Sequence, residues 1–262
     1  MRSARAAARL VGVAVLSFSA YFSVLAGLVV CAFAPRARGR WQGKVFHWWS
    51  AALMPLLGVR VEWQGPAPAT PFLLVSNHLS YLDIMVLGSR LPAAFIAKAE
   101  VRRWPVVGHL CRSVDTLFVD RARKGDLPRV LEHARAELER GRGIVFFPEG
   151  TTSDGSGLLP FRASLLDLPA SLAMPVWAAA LRYDTGAGDP PARDAVCWWG
   201  NEPFAPHLWR MLALGRIEAT VKVAPEPVVA GKRKELAAIL QREVAARFTP
   251  VTAAARESAT PA

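Results

Sequence analysis

Short apolar runs that alternate with helical patterns are the feature that most restricts how this chain can fold. Each run spans four to six residues and is bounded by turn-forming residues, as β-strands are. The predicted strands cover residues 72–76, 94–97, 116–119, 144–147, 176–181, 196–199 and 219–223. The clearest helical patterns are residues 128–140 and 232–248. This alternation predicts an α/β fold, a single layered domain with a mostly buried mixed sheet flanked by helices.

An uncharged stretch precedes this predicted domain. Residues 10–34 contain no charged side chain, and as a helix they would be about 37 Å long, against about 30 Å for a bilayer core. We therefore expect residues 1–59 to form an N-terminal membrane-anchoring segment, as one membrane helix or a helix pair. A cleaved signal peptide is the alternative, since residues 32–34 resemble a cleavage site, although a signal peptide's apolar core is usually roughly 7 to 15 residues long.

The residues around this stretch leave its orientation open. Basic side chains lie on both sides of it, at Arg2, Arg5 and Arg9 before it and at Arg36, Arg38, Arg40 and Lys44 after it. The positive-inside rule therefore selects no direction, and the balanced charges also fit a helix that enters one leaflet and returns. The aromatic-rich residues 41–57 have two interpretations, a second part of the membrane anchor or an ordinary core helix.

A proline-rich linker places the domain limits. Residues 65–71 carry three prolines and lead into the predicted core, so we place the folded domain at residues 60–250. The remaining residues 251–262 are expected to be a disordered tail.

Charge and cysteine content exclude some classes of function. The formal net charge of +11 would suit nucleic acid, an anionic bilayer or an acidic carrier protein. No zinc-finger spacing or RNP-type aromatic string occurs, so we expect no nucleic-acid partner. Cys31, Cys111 and Cys197 form no CxxC pair, so we expect neither a disulfide framework nor a metal site. These features, with the uncharged N-terminal stretch, predict a cell-membrane protein whose folded domain lies on the cytoplasmic face.

The string Ser-Asn-His-Leu-Ser-Tyr-Leu-Asp at residues 76–83 directly follows a predicted strand. If Ser80 caps a helix that starts at Tyr81, Asp83 falls in the first turn and can point back towards His78. A carboxylate bonded to one imidazole nitrogen stabilises the imidazolium that forms when the other nitrogen takes a proton. This spacing would place a general base beside its partner. The alternative is that Ser80 and Asp83 only form a capping box.

A second string, Phe-Phe-Pro-Glu-Gly-Thr-Thr-Ser at residues 146–153, also follows a predicted strand. Glycine and hydroxyl residues in such a turn offer backbone N–H donors to a phosphate or an oxyanion. Alone, this string would also fit a turn that caps a helix.

Together the two strings resemble the glycerolipid acyltransferase family, which includes 1-acylglycerol-3-phosphate acyltransferases. Asn77, His78 and Asp83 match its NHxxxxD block, and residues 147–153 match its FPEGT block. Residues 117–121 look like its intermediate block, which ends in arginine, and residues 174–176 resemble the start of its fourth block. The resemblance covers roughly residues 60–225, so residues 60–250 become the expected acyltransferase domain.

The resemblance implies acyl transfer from acyl-CoA or acyl carrier protein to a lysolipid hydroxyl, with no cofactor, no metal and no covalent acyl-enzyme. The implied catalytic residues are His78, as general base, and Asp83, which orients it. The implied substrate-binding residues are Asn77, Arg121, Glu149, Gly150, Thr151 and Arg162, with Arg121 at the acceptor headgroup. The expected partners are the lysolipid, the acyl thioester, membrane lipid and, as one of the two donors, acyl carrier protein.

Two departures from the family pattern leave the acceptor open. Asp115 stands at a position that is often glycine, and Thr152 replaces an arginine that many members have after FPEGT. Because phosphate recognition relies on arginine, a lyso-ornithine lipid is an alternative to the expected 1-acyl-sn-glycerol-3-phosphate. A non-catalytic membrane-binding module is the alternative from another class. No GxSxG string supports a serine thioesterase.

Overall fold

The computed structural model describes residues 1–103, 108, 111, 112, 116–119 and 126–251. The chain begins with two long helices, α1 (Arg2–Val30) and α2 (Pro35–Leu57). They run antiparallel, because Gly12 of α1 lies against Leu56 of α2 while Gly27 lies against Trp41. Any side chain at Gly27 would overlap the Trp41 ring, so this glycine allows the close approach of the helices. The N-terminal segment is therefore a helix pair.

Seven strands within the described residues form one mixed sheet. They are β1 (Val59–Gln64), β2 (Leu73–Ser76), β3 (Ala93–Lys98), β4 (Leu117–Val119), β5 (Gly143–Phe146), β6 (Val176–Thr185) and β7 (Ile217–Val223). Their order across the sheet is β1-β7-β6-β2-β5-β3-β4. All neighbours are parallel except β6 and β7. The predicted α/β fold with a mixed sheet is confirmed.

Helices cover both faces of this sheet. They are α3 (Leu82–Gly88), α4 (Asp126–Glu139), α5 (Asp167–Ser171), α6 (Ala192–Ala195), α7 (Phe204–Leu212) and α8 (Arg233–Ala245), with 3-10 helices at Ala99–Arg103 and Ala163–Leu166. Alternate residues of β2 join different cores, Leu74 on the side of α2 and α3, and Leu73 and Val75 on the side of α4 and α8. The helices predicted at residues 128–140 and 232–248 are confirmed as α4 and α8.

Within the described residues, the structure lacks one predicted strand and contains one strand that was not predicted. Residues 196–199 form no strand, because they follow α6 and the N–H groups of Val196 and Cys197 donate to the Ala192 carbonyl at 2.8 and 2.9 Å. Val196 and Cys197 are buried without a strand partner and Trp199 is 42% exposed, so the prediction of a strand there is wrong. The sequence pattern also misses β1, an edge strand in which exposed residues alternate with buried or half-buried ones.

The folded part extends at least one residue beyond the predicted limit. Val251, which the sequence assigns to the tail, is 3% exposed, and its N–H donates to the Gly155 carbonyl at 2.8 Å. Gly155 in turn lies against Leu79 of the first motif. The prediction of disorder is therefore wrong for Val251, while residues 252–262 lie outside the described residues.

An apolar stripe on α1 is exposed. Its members are Leu10, Val11, Val15, Phe18, Phe22, Leu25 and Val29. In α2, by contrast, Leu53 and Leu57 are buried in the core, although Trp41 and Trp48 are exposed. The interpretation of residues 41–57 as a core helix therefore fits the buried side of α2. Among the described residues, α1 is the one helix whose length and composition would let it cross a membrane.

Candidate active site

The two motif loops begin at adjacent points of the sheet. β2 and β5 are parallel neighbours, with Val75 opposite Phe146, so their carboxyl ends lie side by side. Residues 76–83 follow β2, and residues 147–153 follow β5. Loops at the carboxyl ends of parallel strands are where α/β folds form ligand sites. The fold therefore brings the two predicted strings together.

Asp83 is fully buried and bonded through both carboxylate oxygens. Oδ2 accepts hydrogen bonds from His78 Nδ1 at 2.7 Å and from the N–H groups of Leu79 and Ser80 at 2.7 and 3.0 Å. Oδ1 accepts a hydrogen bond from the Tyr183 hydroxyl at 2.8 Å. Because a buried carboxylate without partners is costly, these donors are what make Asp83 tolerable in the core.

The capping box and the histidine partner were alternatives for Asp83, and the structure contains both. Helix α3 begins at Leu82 rather than at Tyr81, and the Leu82 N–H donates to the Ser80 hydroxyl at 3.3 Å. Asp83 accepts the Ser80 N–H, as in a capping box, through the same oxygen that meets His78. One carboxylate therefore both starts the helix and orients the imidazole.

The direction and tautomer of the His78 ring follow from its contacts. A carboxylate only accepts, so the contact with Asp83 places the hydrogen on Nδ1 and leaves Nε2 as the acceptor of the neutral ring. The ring stacks on Phe147 with centroids 3.9 Å apart and planes 7° apart. No described residue bonds Nε2, and 18% of the His78 side chain is exposed. Nε2 is therefore the atom available to a substrate hydroxyl.

The backbone of His78 is held by the second loop. Its N–H donates to Glu149 Oε2 at 3.2 Å, and its carbonyl accepts from the Ser153 N–H at 2.9 Å. Glu149 is 2% exposed, and its Oε1 accepts from the Leu159 N–H at 3.2 Å. Burial raises the pKa of Glu149 to about 8; the two N–H donors lower it and the charge of Asp83 raises it. Glu149 thus joins the two strings into one site.

Asn77 fastens the end of β2 to β6. The side chain is fully buried, its amide donates to the Leu181 carbonyl at 2.9 Å, and its Oδ1 accepts from the Leu181 N–H at 2.7 Å. These bonds continue the pairing of β2 with β6 past Ser76. Both polar groups of Asn77 therefore face the protein backbone, and its contact with substrate stays a prediction.

The other predicted binding residues surround this centre or lie outside the described residues. Gly150 occupies a turn with φ of 79°, a conformation that favours glycine. Thr151 and Arg162 are exposed, and the N–H of Arg162 donates to the Pro148 carbonyl at 2.9 Å. Arg121, like the unusual Asp115, is outside the described residues. The predicted roles of these residues in substrate binding stay predictions.

Known proteins resemble this chain over most of its length. A family model described as Acyltransferase matches residues 58–182. Lyso-ornithine lipid O-acyltransferase of Pseudomonas aeruginosa is 35% identical over 202 residues, which cover 77% of each chain. This chain belongs to the acyltransferase family.

Two further comparisons extend this result. The 1-acyl-sn-glycerol-3-phosphate acyltransferase of Neisseria gonorrhoeae is 35% identical to this acyltransferase over 169 residues, which cover 64% of each chain. The crystal structure of the 1-acyl-sn-glycerophosphate (LPA) acyltransferase from Thermotoga maritima matches with a TM-score of 0.58 and 22% identity, over 93% of this chain and 99% of that chain. That likeness shows a shared fold.

Tyr183 is the residue of this acyltransferase site that the sequence patterns miss. The predicted strand 176–181 ends before it, whereas β6 continues to Thr185. Ala179, Leu181 and Tyr183 face the same core because alternate residues of a strand share a face. Extending that alternation by two residues would have placed Tyr183 on the buried face of β6, although not beside Asp83.

Proposed function

We propose that this acyltransferase moves a fatty acyl group from a thioester to the free hydroxyl of a lysolipid, with His78 as general base. The observation that carries the proposal is the 2.7 Å contact of His78 Nδ1 with the buried Asp83, which leaves Nε2 facing outward as a base. The names of the relatives from P. aeruginosa and N. gonorrhoeae, both acyltransferases of a singly acylated lipid, support it.

In the proposed reaction, His78 Nε2 accepts the proton of the lysolipid hydroxyl while the hydroxyl oxygen attacks the thioester carbonyl. The new ester bond forms, the carbon–sulfur bond breaks, and the imidazolium returns the proton to the leaving thiolate. Asp83 stabilises the imidazolium, and Tyr183 and Glu149 hold the pair in place. A positioned base contributes about 100- to 10,000-fold, since a lipid hydroxyl is hardly ionised at neutral pH.

The proposed donors are acyl-CoA and acyl carrier protein, and the reaction needs no cofactor. Within the described ranges, no group of three or more His, Cys, Asp or Glu side chains is arranged to hold a metal ion.

For the acceptor we propose 1-acyl-sn-glycerol-3-phosphate, which would give phosphatidic acid, with Arg121 and Arg162 at the headgroup and residues 149–151 around it. A lyso-ornithine lipid is the second candidate. Thr152 favours it, because many family members carry an arginine there that could pair with a phosphate. The name of the P. aeruginosa relative favours it as well.

Membrane attachment is part of the proposal. The exposed stripe of α1 offers an apolar face to lipid, and exposed Trp41 and Trp48 of α2 suit the headgroup region. We propose that residues 1–59 anchor the acyltransferase domain, residues 60–250, at the cytoplasmic face of the cell membrane, where both substrates would meet it.

The test is to offer the purified protein labelled acyl-CoA or acyl carrier protein with each lysolipid and to identify the product. We expect an acylated lipid from one of the two acceptors, formed at least about 100-fold more slowly by His78→Ala. Free fatty acid as the sole product would indicate a thioesterase. Equal, background-level products from the wild type and His78→Ala would support the non-catalytic membrane module instead.

A further inference from the structure

A segment beyond the residues that the family model matches is bonded to both motif loops. The match ends at residue 182, and residues 192–212, here called the clasp, contain α6 and α7. Arg193 of the clasp donates to Asp154 at 2.7 and 3.0 Å, just past the second motif. The N–H of Trp198 donates to the Leu79 carbonyl at 2.8 Å, inside the first motif. The clasp therefore contacts the two loops that build the site.

His207 makes a third, deeper contact between the clasp and the first motif. It is fully buried, with Nε2 3.1 Å from the Cys197 carbonyl oxygen and Nδ1 2.9 Å from the Tyr81 hydroxyl. Because a carbonyl only accepts, Nε2 carries the hydrogen and Nδ1 accepts from Tyr81. Burial lowers the pKa of His207, which agrees with a neutral ring. These two bonds are what a buried apolar residue at this position would lack.

Tyr81 carries this contact into the loop that holds the catalytic pair. Its ring meets Phe204 edge-on, with centroids 5.0 Å apart, so the clasp surrounds it. Its chain neighbour Ser80 donates its N–H to Asp83 at 3.0 Å. A displaced Tyr81 would therefore move a donor of Asp83, and with it the partner of His78.

We propose that His207 is a positioning residue, which through Tyr81 holds residues 78–83 in the geometry that joins Asp83 to His78. The kinetic part of this inference rests on the proposed acyl transfer. A misplacement of about 1 Å at a reacting group lowers turnover by about 100-fold, so losing the bond to Tyr81 has a measurable effect. The competing explanation is that His207 stabilises the fold alone.

Two substitutions separate the two bonds of His207. The Oδ1 atom of asparagine branches from the side chain where Nδ1 does, so His207→Asn keeps an acceptor for Tyr81 and loses the bond to Cys197. The Nε2 atom of glutamine reaches the place of the ring Nε2, so His207→Gln keeps Cys197 and loses Tyr81. We expect His207→Gln to lower kcat at least about tenfold, with the KM values for lysolipid and acyl thioester nearly unchanged. His207→Asn should retain most of the wild-type kcat.

Tyr81→Phe tests the same bond from its other end. It should reproduce the kcat of His207→Gln, and combining the two changes should add little, because they remove one interaction. It also keeps the test decisive where a change at His207 prevents folding.

The matched control is His47→Gln. Nδ1 of His47 lies 2.9 Å from the carbonyl oxygen of Gly88, the last residue of α3. Because a carbonyl only accepts, Nδ1 of His47 donates here. The same substitution thus removes an Nδ1 hydrogen bond, of the opposite direction, at the end of α3 that lies away from His78. We expect kcat to stay at the wild-type value.

A proton NMR readout tests the geometry without catalysis. The Nδ1 proton of His78, donated to Asp83, should give a low-field resonance that His78→Ala removes. We expect His207→Gln and Tyr81→Phe to shift this resonance, and His207→Asn and His47→Gln to leave it in place.

A wild-type protein that transfers no acyl group would overturn the proposed function and leave this NMR readout intact. Unchanged kcat and resonance in Tyr81→Phe, or equal losses in the Asn and Gln variants, would overturn the inference.

Discussion

The loop at residues 77–83 and helix α1 place their polar and apolar groups in opposite ways. The loop buries Asn77, Ser80 and Asp83 completely, and each of them has hydrogen-bond partners. Helix α1 exposes large apolar side chains, with Phe18 and Phe22 each 63% accessible. Buried polar groups and exposed apolar patches both cost a soluble protein free energy. Each region departs from the usual distribution where a function is proposed, catalysis in the loop and lipid contact on α1.

The largest expected effect comes from removing the proposed general base, which should lower turnover and leave membrane contact unchanged. His78→Ala should lower kcat at least about 100-fold, the low end of what a general base provides, because Nε2 is then gone. Membrane retention and thermal unfolding should stay as in the wild type, since α1 is untouched. Steady-state kinetics and fractionation measure both. Near-normal turnover would contradict the role of His78 and would favour the non-catalytic module.

The next largest effect comes from changing helix α1, which should weaken membrane contact and leave catalysis nearly unchanged. Replacing Phe18 and Phe22 by Asp removes two exposed rings, each worth about 1 to 2 kcal/mol if lipid covers it, so retention on vesicles should fall by about 30-fold or more. Activity on a detergent-dispersed lysolipid should change little.

The matched control for α1 is Leu172→Asp with Val229→Asp. These two residues are 49% and 53% exposed and lie outside the helix pair, so the same chemical change should leave vesicle binding intact. Equal losses in both double variants would show that lipid contact is not confined to α1.

A smaller effect concerns the buried hydroxyl behind Asp83. Tyr183→Phe keeps the ring and removes the donor at 2.8 Å from Oδ1, which leaves a buried acceptor unsatisfied at a cost of about 1 to 3 kcal/mol. We expect kcat to fall by about tenfold, since the cost is shared between the fold and the transition state. Tyr21→Phe, the same change in α1, should leave kcat unaltered. A Tyr183→Phe enzyme of wild-type kcat would limit Tyr183 to a structural role.

Local patterns in the sequence were enough to predict the two strands before the motifs and the contact of His78 with Asp83. The apolar runs before the two motifs predict β2 and β5, and two loops after neighbouring strands meet at one edge of the sheet. The five-residue spacing of His78 and Asp83 across a helix start predicts their contact, which the structure has at 2.7 Å. The two strands and the His78–Asp83 contact depend on residues close together in the chain, which is why they could be predicted. The pairing of β2 with β5 joins distant residues and was not predicted.

The features that the sequence did not predict depend on distant partners. Tyr183 meets Asp83 across 100 residues of chain, and no local pattern encodes that distance. Residues 196–199 have the composition of a strand, yet the N–H of Trp198 bonds to Leu79 rather than to a neighbouring strand. Apolar composition predicts the burial of Val196 and Cys197 correctly, but the hydrogen-bond partner decides the secondary structure.

The last expected effect is on stability, as a pH dependence confined to the site. The pKa of the Glu149 carboxyl is raised by burial from its ordinary value of 4.5 to about 8, so folding favours its protonated form. Its stabilising contribution is complete below the unfolded pKa and is lost as pH rises through 8, by up to about 1.4 kcal/mol per pH unit. Glu149→Gln has no such group, so the difference in Tm, wild type minus variant, should fall between pH 5 and pH 9.

The control is Glu218→Gln, which replaces an exposed carboxylate paired with Arg216 at 2.8 Å. Its Tm should follow the wild-type curve. Parallel curves for the wild type and Glu149→Gln would mean that the N–H donors of His78 and Leu159 outweigh the burial of this carboxyl, so that it stays charged while it holds His78.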